Sequence, residues 1–318
     1  MTLSGLDTDL GDLTLEDRLA MGGMAEIFTA APHDPAQFGG QSRVIVKRLM
    51  ARFRAEPEFV KLFTTEAKLC VKLKHPHIVR TYRAFKKDLD WYMVQEWVDG
   101  GSLGFVTGRL KSGGLRIPPA GTVAVMIGLL KALGYVHKAR LGDQHVRLVH
   151  RDVNPGNLLC SVDGEVKLTD FGVAEGEGVG AARVEGVLRG TPAYMAPEQV
   201  AGEMVDPRTD LFSAGIVMWE LLTGRELFAA ESDFEVLRKV KEHGAAPPSV
   251  YADIPESLDA VCLKALEKDP DARFQSSTDF GRALVSAAKG AGLGSGDTQV
   301  LAAAVRHARE LKPRLPEV

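Results

Sequence analysis

The hydrophobic pattern of this chain changes period once, and that change limits the folds open to it. From Leu15 to Trp97 the apolar residues fall in short runs rich in β-branched and aromatic types. Glu26-Ile27-Phe28-Thr29, Arg43-Val44-Ile45-Val46-Lys47 and Trp91-Tyr92-Met93-Val94 are examples, and Asp34-Pro35 and Gly39-Gly40 mark a loop between two of them. After Gly100-Gly101 the pattern becomes mainly helical, with helices expected over Val123–Lys138, Ser213–Thr223, Leu258–Leu266 and Asp279–Ala288. Short strand signals return only between Leu148 and Asp170. A length of 318 residues suits about two compact units. The expected organisation is an N-terminal lead (1–14), a strand-rich unit (15–97), a larger helical unit (98–288), and a Gly/Ser linker with an amphipathic helix (289–318).

One helix interrupts the strand-rich part, from Pro57 to about Leu73, with Phe59, Leu62, Phe63, Cys70 and Leu73 on one face. Glu66 lies on that same face. A carboxylate in an apolar stripe requires a cation or a proton. Lys47, which ends the run Val44-Ile45-Val46 and precedes Glu66 by nineteen residues, is the candidate. Taken alone it reads as one more alternating strand residue, but each charge supplies what the other lacks.

Leu19 to Ile27 carries Gly22-Gly23 between two strand-like segments, where a small-residue turn lets backbone N–H groups approach phosphate oxygens. A plain hairpin turn explains the same residues. Further along, His150-Arg151-Asp152-Val153-Asn154-Pro155-Gly156-Asn157 is followed by Asp170-Phe171-Gly172 and then by Ala196-Pro197-Glu198. Asp152 is suited to accept a proton, while Asn157 and Asp170 offer the hard oxygens that Mg²⁺ prefers. Singly, each would be a turn or cap residue. Their ordered occurrence is the stronger observation.

These motifs resemble the protein-kinase signature, and among kinases the bacterial eukaryotic-like serine/threonine group. The resemblance spans about residues 15–288. It implies an α+β, bilobal fold: a small antiparallel sheet with one main helix, joined to a larger, mainly helical lobe. It implies an enzyme that moves the γ-phosphoryl group of ATP, with Mg²⁺ or Mn²⁺, onto Ser or Thr of a protein substrate. On the resemblance, Ala20, Met21, Gly22, Gly23 and Ile27 cover the nucleotide, Lys47 held by Glu66 meets its phosphates, and Glu96 and Val98 offer backbone groups to adenine. Gln95 falls at the back of that pocket. Asp152 is the base, Asn157 and Asp170 bind metal, Asp210 braces the catalytic loop, and Arg273 pairs with Glu198. Gly190 to Glu198 is similar to the peptide-substrate platform of serine/threonine kinases.

The chain departs from the pattern in three places. Ala20 and Ala25 replace two glycines of the nucleotide loop. Asn154 stands where serine/threonine kinases usually carry a Lys that neutralises charge on the moving phosphoryl group, so a slow enzyme is expected that Asn154→Lys would accelerate. The segment from Gly172 to Gly190 has no Ser, Thr or Tyr, and Glu185 sits where a phosphorylatable Thr is common. A carboxylate there would meet Arg151 permanently; a solvated charge is the plainer reading. Two rivals follow: a pseudokinase that holds nucleotide as a scaffold, and a small-molecule phosphotransferase, against which the peptide platform counts.

A net charge of −3 gives no reason to expect a nucleic-acid or anionic-membrane partner, and the cluster Arg43, Lys47, Arg48, Arg52 and Arg54 reads as a solvated face. Cys70, Cys160 and Cys262 read as buried thiols in a reducing compartment. The apolar runs are interrupted by Lys131 and Glu220, and a cytoplasmic protein without a membrane span is expected. Asp297 caps a last helix to about Leu311, whose apolar side either docks on the helical unit or captures a partner.

Overall fold

A computed structural model describes residues 8–141, 144–145, 148–171 and 191–311. The chain divides into two compact units, Met1–Val98 and Asp99–Val318.

The first unit is a five-stranded antiparallel sheet and one long helix. Its elements are β1 (Leu13–Met21), β2 (Ala25–Pro32), β3 (Val44–Leu49), α1 (Pro57–Cys70), β4 (Thr81–Lys87) and β5 (Asp90–Glu96), with sheet order β1-β2-β3-β5-β4. Strand alternation places Val44 and Val46 on one face, in a core with Leu10, Leu13, Leu15, Phe28, Ala30, Phe38, Tyr92 and Val94. Lys47 therefore faces the other way, between Ile27 and Met93 in register. Helix α1 packs against β4 and β5 and buries Phe63, Glu66, Ala67, Leu69 and Cys70. It stops three residues before the expected Leu73, which is nonetheless buried.

The reading of residues 1–14 as a flexible lead needs correction over its described part. Leu10 is buried in the sheet core, Asp9 bridges Thr14, and Arg83 of β4 pairs with Asp12. The carboxyl of Asp12 is held below its ordinary value, mainly by the Arg83 hydrogen bond. The basic cluster is also not one solvated face. Arg43 pairs with Glu16 (3.2 Å), Arg48 with Glu26 (2.5 Å), and Arg54 with Asp90 (3.5 Å), while Lys47 is buried.

The second unit begins with β6 (Gly100–Ser102), α2 (Leu103–Ser112), α3 (Pro119–Val136) and the short strands β7 (Arg140–Leu141) and β8 (Gln144–His145). There follow β9 (Leu158–Ser161), β10 (Val166–Leu168), α4 (Pro197–Ala201), α5 (Pro207–Thr223) and α6 (Asp233–Glu242). It ends with α7 (Ser257–Ala265), α8 (Ser277–Gly290) and α9 (Thr298–Glu310). Strands β10, β9 and β6 form a small sheet in that order. Gly100-Gly101, read from sequence as a break, is part of it. Gly100 lies so close to β9 that a Cβ there would sit 1.9 Å from the carbonyl oxygen of Cys160.

Helix α3 is long and apolar enough to cross a bilayer by composition, but two-thirds of it is buried and it packs on α5, α8 and α9. It is the central core helix of this unit. Helix α9 is capped by Asp297, whose Oδ1 accepts from Gln299 N (2.8 Å) and Val300 N (3.2 Å). Leu301, Ala302, Ala304, Val305 and Ala308 are buried against α2, α3, β6 and β9. Burying Leu301 and Val305 contributes about 1.5–3 kcal/mol each. Docking on its own unit thus covers the apolar side that a captured partner would need. The three cysteines are buried.

Candidate functional site

In the first unit, the glycine turn joins β1 to β2. Ala20 pairs with Ile27 and Met21 with Glu26, and Gly22 N–H donates to the Ala25 carbonyl (2.8 Å). Glu26 of β2 is buried between Arg48 of β3 and Arg18 of β1 (3.1 Å), and the β1–β2 register shifts on both sides of Arg18. Burial opposes ionisation of Glu26, but the two guanidiniums hold its carboxyl below the ordinary value. Neither glycine is demanded by the backbone, because neither has a positive φ and a Cβ on Gly23 would meet nothing within 4 Å. Small residues where the fold does not require them leave the backbone open to close approach by a ligand.

Lys47 on β3 and Glu66 on α1 are both buried. Burial pulls the Lys47 ammonium down and pushes the Glu66 carboxyl up, and each charge opposes the shift of the other. This is the mutual compensation that the apolar face of α1 required. At the end of β5, Gln95 is buried and its amide donates to Thr81 Oγ1 (3.2 Å). The backbone of Trp97 is engaged on both sides by the Gln41 amide, through Trp97 N–H to Oε1 (3.0 Å) and Nε2–H to Trp97 O (2.9 Å). The Glu96 N–H donates to Arg80 O (2.9 Å).

In the second unit, the segment 150–157 is held at its start by Asp210 of α5. Asp210 is fully buried and accepts from His150 N (2.8 Å), Arg151 N (2.8 Å) and the His137 ring (2.7 Å). Burial opposes its ionisation, but the His137 hydrogen bond and charge, with His150 behind them, hold the carboxyl below its ordinary value. The anion fixes a strained turn, since Arg151 has φ +67°, uncommon for a bulky residue. Gln199 of α4 grips the same peptide by donating to Arg151 O (3.0 Å). His150 is also buried, its Nδ1 accepting from Asp152 N (3.3 Å) and its Nε2 facing Thr169 O (3.0 Å). That pair of contacts selects the neutral tautomer, and burial lowers its basicity in agreement.

Both oxygens of Asp152 are oriented. Oδ1 accepts from Asn154 Nδ2 (2.8 Å) and Thr191 N (3.2 Å), and Oδ2 accepts from Asn157 Nδ2 (2.8 Å). Because the Asn157 amide nitrogen also reaches Asp152 O (2.9 Å), its oxygen is directed elsewhere. Thr169 N donates to Asn157 O (2.9 Å), tying the end of β10 to the turn, and the next residue, Asp170, takes φ +57°. Phe171 is buried against the His150 ring at 4.9 Å between centroids. Among the described residues no three His, Cys, Asp or Glu side chains gather into a metal cluster. A Mg²⁺ carried on phosphates needs no such cluster, since one or two protein oxygens suffice.

Glu198 and Arg273 form a buried bidentate pair, with both nitrogen–oxygen distances 2.8 Å. Tyr194 donates to Glu220 (2.6 Å), whose carboxyl is pushed up to about 7 by burial. His137, Gln199 and Glu220 were not singled out from sequence. The only available signals were a His at the end of an apolar helix, a Gln directly after Ala196-Pro197-Glu198, and an acid inside an apolar run. Gly172, Glu185 and Gly190 lie outside the described residues.

Residues 21–280 match the family model of the protein kinase domain. A probable serine/threonine-protein kinase of Streptomyces coelicolor is 38% identical over 270 residues, covering 82% of this chain and 38% of that protein. The tyrosine-protein kinase MasK of Myxococcus xanthus is 34% identical, covering 86% and 42% respectively. The serine/threonine-protein kinase PknA of Mycobacterium tuberculosis is 32% identical, covering 88% and 62%. This chain therefore spans between 38% and 62% of the length of these relatives. The kinase domain of M. tuberculosis PknI superposes with a TM-score of 0.65 at 24% identity, covering 89% of this chain and 99% of that one.

Proposed function

This chain belongs to the protein kinase domain family, within its bacterial serine/threonine-type group, and from that premise we propose that it phosphorylates Ser or Thr hydroxyls of protein substrates with ATP. The observation that carries the reading is the Asp152 carboxylate, oriented through both oxygens by Asn154, Asn157 and the Thr191 backbone. A base needs geometry before basicity. Asp152 receives the proton of the substrate hydroxyl as its oxygen bonds to the γ-phosphorus. The bond from that phosphorus to the β–γ bridging oxygen breaks, and ADP leaves with the electron pair.

Lys47, paired with Glu66, neutralises nucleotide phosphates. Gly22 and Gly23, flanked by Ala20, Met21 and Ile27, let main-chain N–H groups approach them, and Glu96 and Val98 present peptide groups to adenine. Asn157 and Asp170 would hold a divalent cation, Mg²⁺ or Mn²⁺, which supplies charge neutralisation on the phosphates. The filled positions at 47, 66, 152, 157 and 170 weigh against a nucleotide-binding scaffold without turnover. Three buried cysteines scattered along the chain suit a reducing, cytoplasmic setting.

Transfer of label from [γ-³²P]ATP with Mg²⁺, compared between the wild type and Asp152→Ala, tests the proposal. Label on serine or threonine that disappears in the variant is the expected result. Nucleotide binding without any transfer overturns it in favour of the scaffold. Phosphotyrosine in the hydrolysate would refute the substrate class, a relevant outcome given the tyrosine-protein kinase among the relatives.

A further inference from the structure

Asn154 enters the sequence as a lost charge. In the structure its side chain has a full set of other partners. It is 6% exposed, with extended backbone at φ −152°, and it caps the single 3-10 turn Pro155–Asn157. Its Oδ1 accepts from Gly156 N (2.8 Å) and Asn157 N (3.2 Å). Its Nδ2 donates to Asp152 Oδ1 (2.8 Å) and Asp152 O (3.1 Å). A primary amide has two donors and one doubly accepting oxygen, so its capacity is filled. The reverse orientation would set oxygen against carboxylate and N–H against N–H.

These bonds close a ring of three side chains. Asn154 ties down the backbone of Asn157, Asn157 donates to Asp152, and Asn154 donates to Asp152 from the other side. A lysine could supply the donor but has no acceptor, so it would leave Gly156 N and Asn157 N without their cap. We propose that Asn154 is a positioning residue, which fixes the Asp152 carboxylate and the Asn157 turn together, and that it does not act as a weakened stand-in for a cation on the moving phosphoryl group. The inference rests on the reading of Asp152 as the base.

Three variants test it. Asn154→Asp retains an equally good cap but replaces the donor to Asp152 with a second carboxylate oxygen. Its kcat should fall about 10–100-fold, the scale for losing one hydrogen bond to a charged group, with KM for ATP unchanged. Asn154→Ser keeps the cap, weakens the donor, and should lower kcat by less, again at unchanged KM; it serves if the Asp variant fails to fold. Asn154→Lys should show kcat no higher than wild type.

A wild-type kcat in both Asp and Ser variants overturns the proposal, because a cap alone would not couple to the base. A rise in kcat for Asn154→Lys overturns it in favour of the missing-cation account. The carboxyl ¹³C resonance of Asp152, assigned by its absence in Asp152→Ala, provides a readout independent of turnover. At fixed pH this resonance should change position in Asn154→Ser, which alters one of the hydrogen bonds to the carboxylate, and an unmoved resonance refutes the proposal even if no phosphate is transferred. Turnover that survives Asp152→Ala would instead sink the assignment of the base and leave the resonance result standing by itself.

Discussion

Arg273→Met should destabilise the helical unit by about 4 kcal/mol. Arg273 is 1% exposed and makes two charged bonds to Glu198, with three more to the carbonyls of Glu267 (2.7 Å), Lys268 (2.9 Å) and Arg208 (3.2 Å). Its guanidinium also lies over the Phe212 ring at 4.8 Å. Removing one partner of a buried pair costs about 3–5 kcal/mol, since the other is left as an uncompensated charge. Glu198→Gln keeps the Thr209 hydroxyl bonded (2.8 Å in the wild type) and should cost about 3 kcal/mol. The double variant leaves no buried charge and should cost about 3 kcal/mol, not the ~7 kcal/mol of the summed singles. Urea unfolding followed by far-UV circular dichroism reads mainly the helices of residues 99–318. With a slope of about 3 kcal/mol/M, Arg273→Met lowers the midpoint by about 1.3 M. Additive singles, or a loss below about 1 kcal/mol for Arg273→Met, would refute the reasoning. The pair also has a pH signature. Burial works against ionisation of Glu198, but the Arg273 bonds and charge override it and keep the carboxyl below its ordinary 4.5. A depressed carboxyl contributes stability that is fully present above the unfolded value and lost as pH falls through the folded one. The wild type should therefore weaken below about pH 4.5 more steeply than Arg273→Met.

Two further perturbations separate the chemistry from the scaffold. Lys47→Met should abolish most transfer, by about 100-fold or more in kcat/KM, and should lower the melting temperature, because the buried Glu66 loses its compensating charge; transfer within tenfold of wild type would remove Lys47 from the phosphate site. Gly164→Ala should loosen α9, because Gly164 has φ +83° and a Cβ there would lie 2.1 Å from the Thr298 carbonyl oxygen. The expected readout is faster proteolytic cleavage between residues 290 and 297 and a lower melting temperature; unchanged proteolysis would refute the tight docking of this helix.

The parts legible in sequence were those in which one residue creates a need that another must meet. Glu66 on an apolar helical face required a cation, and Lys47 on the neighbouring strand supplied it. Asp152, Asn157 and Asp170 stood out because Asp and Asn recur there in a fixed order, and the structure hydrogen-bonds Asp152 to Asn157. What escaped reading was set by partners distant in the chain. Leu10, Asp12 and Asp9 looked like a solvated acidic lead because Arg83, which pairs with Asp12, lies 71 residues away. Helix α2 was passed over because Gly104, Thr107 and Gly108 dilute its apolar spacing, although Leu103, Val106 and Leu110 are buried. Asn154 is a different case, because its hydrogen-bond partners are not visible in sequence. Sequence reports the charge a side chain lacks, whereas the value of an amide lies in holding a donor and an acceptor a fixed distance apart.

That difference bears on how such a loop keeps its shape. A continuous path of hydrogen bonds runs from the core helix α5 outward: Asp210 to the peptides of His150 and Arg151, His150 to the peptide of Asp152 and to Thr169, Asp152 to Asn154 and Asn157, and Asn157 to Thr169 beside Asp170. Gln199 closes it on the α4 side by holding the Arg151 carbonyl. Each member has a neutral or anionic partner within the same unit, so the orientation of Asp152 draws on no cation at position 154. Fixed dipoles aimed at a base need no rearrangement when charge moves, which is the physical content of preorganisation. A chain without the lysine lacks Coulombic help with the phosphoryl group, but the proposed base is anchored by hydrogen bonds from two side-chain amides. The sign of the Asn154→Lys effect on kcat therefore decides which of the two contributions is larger in this loop.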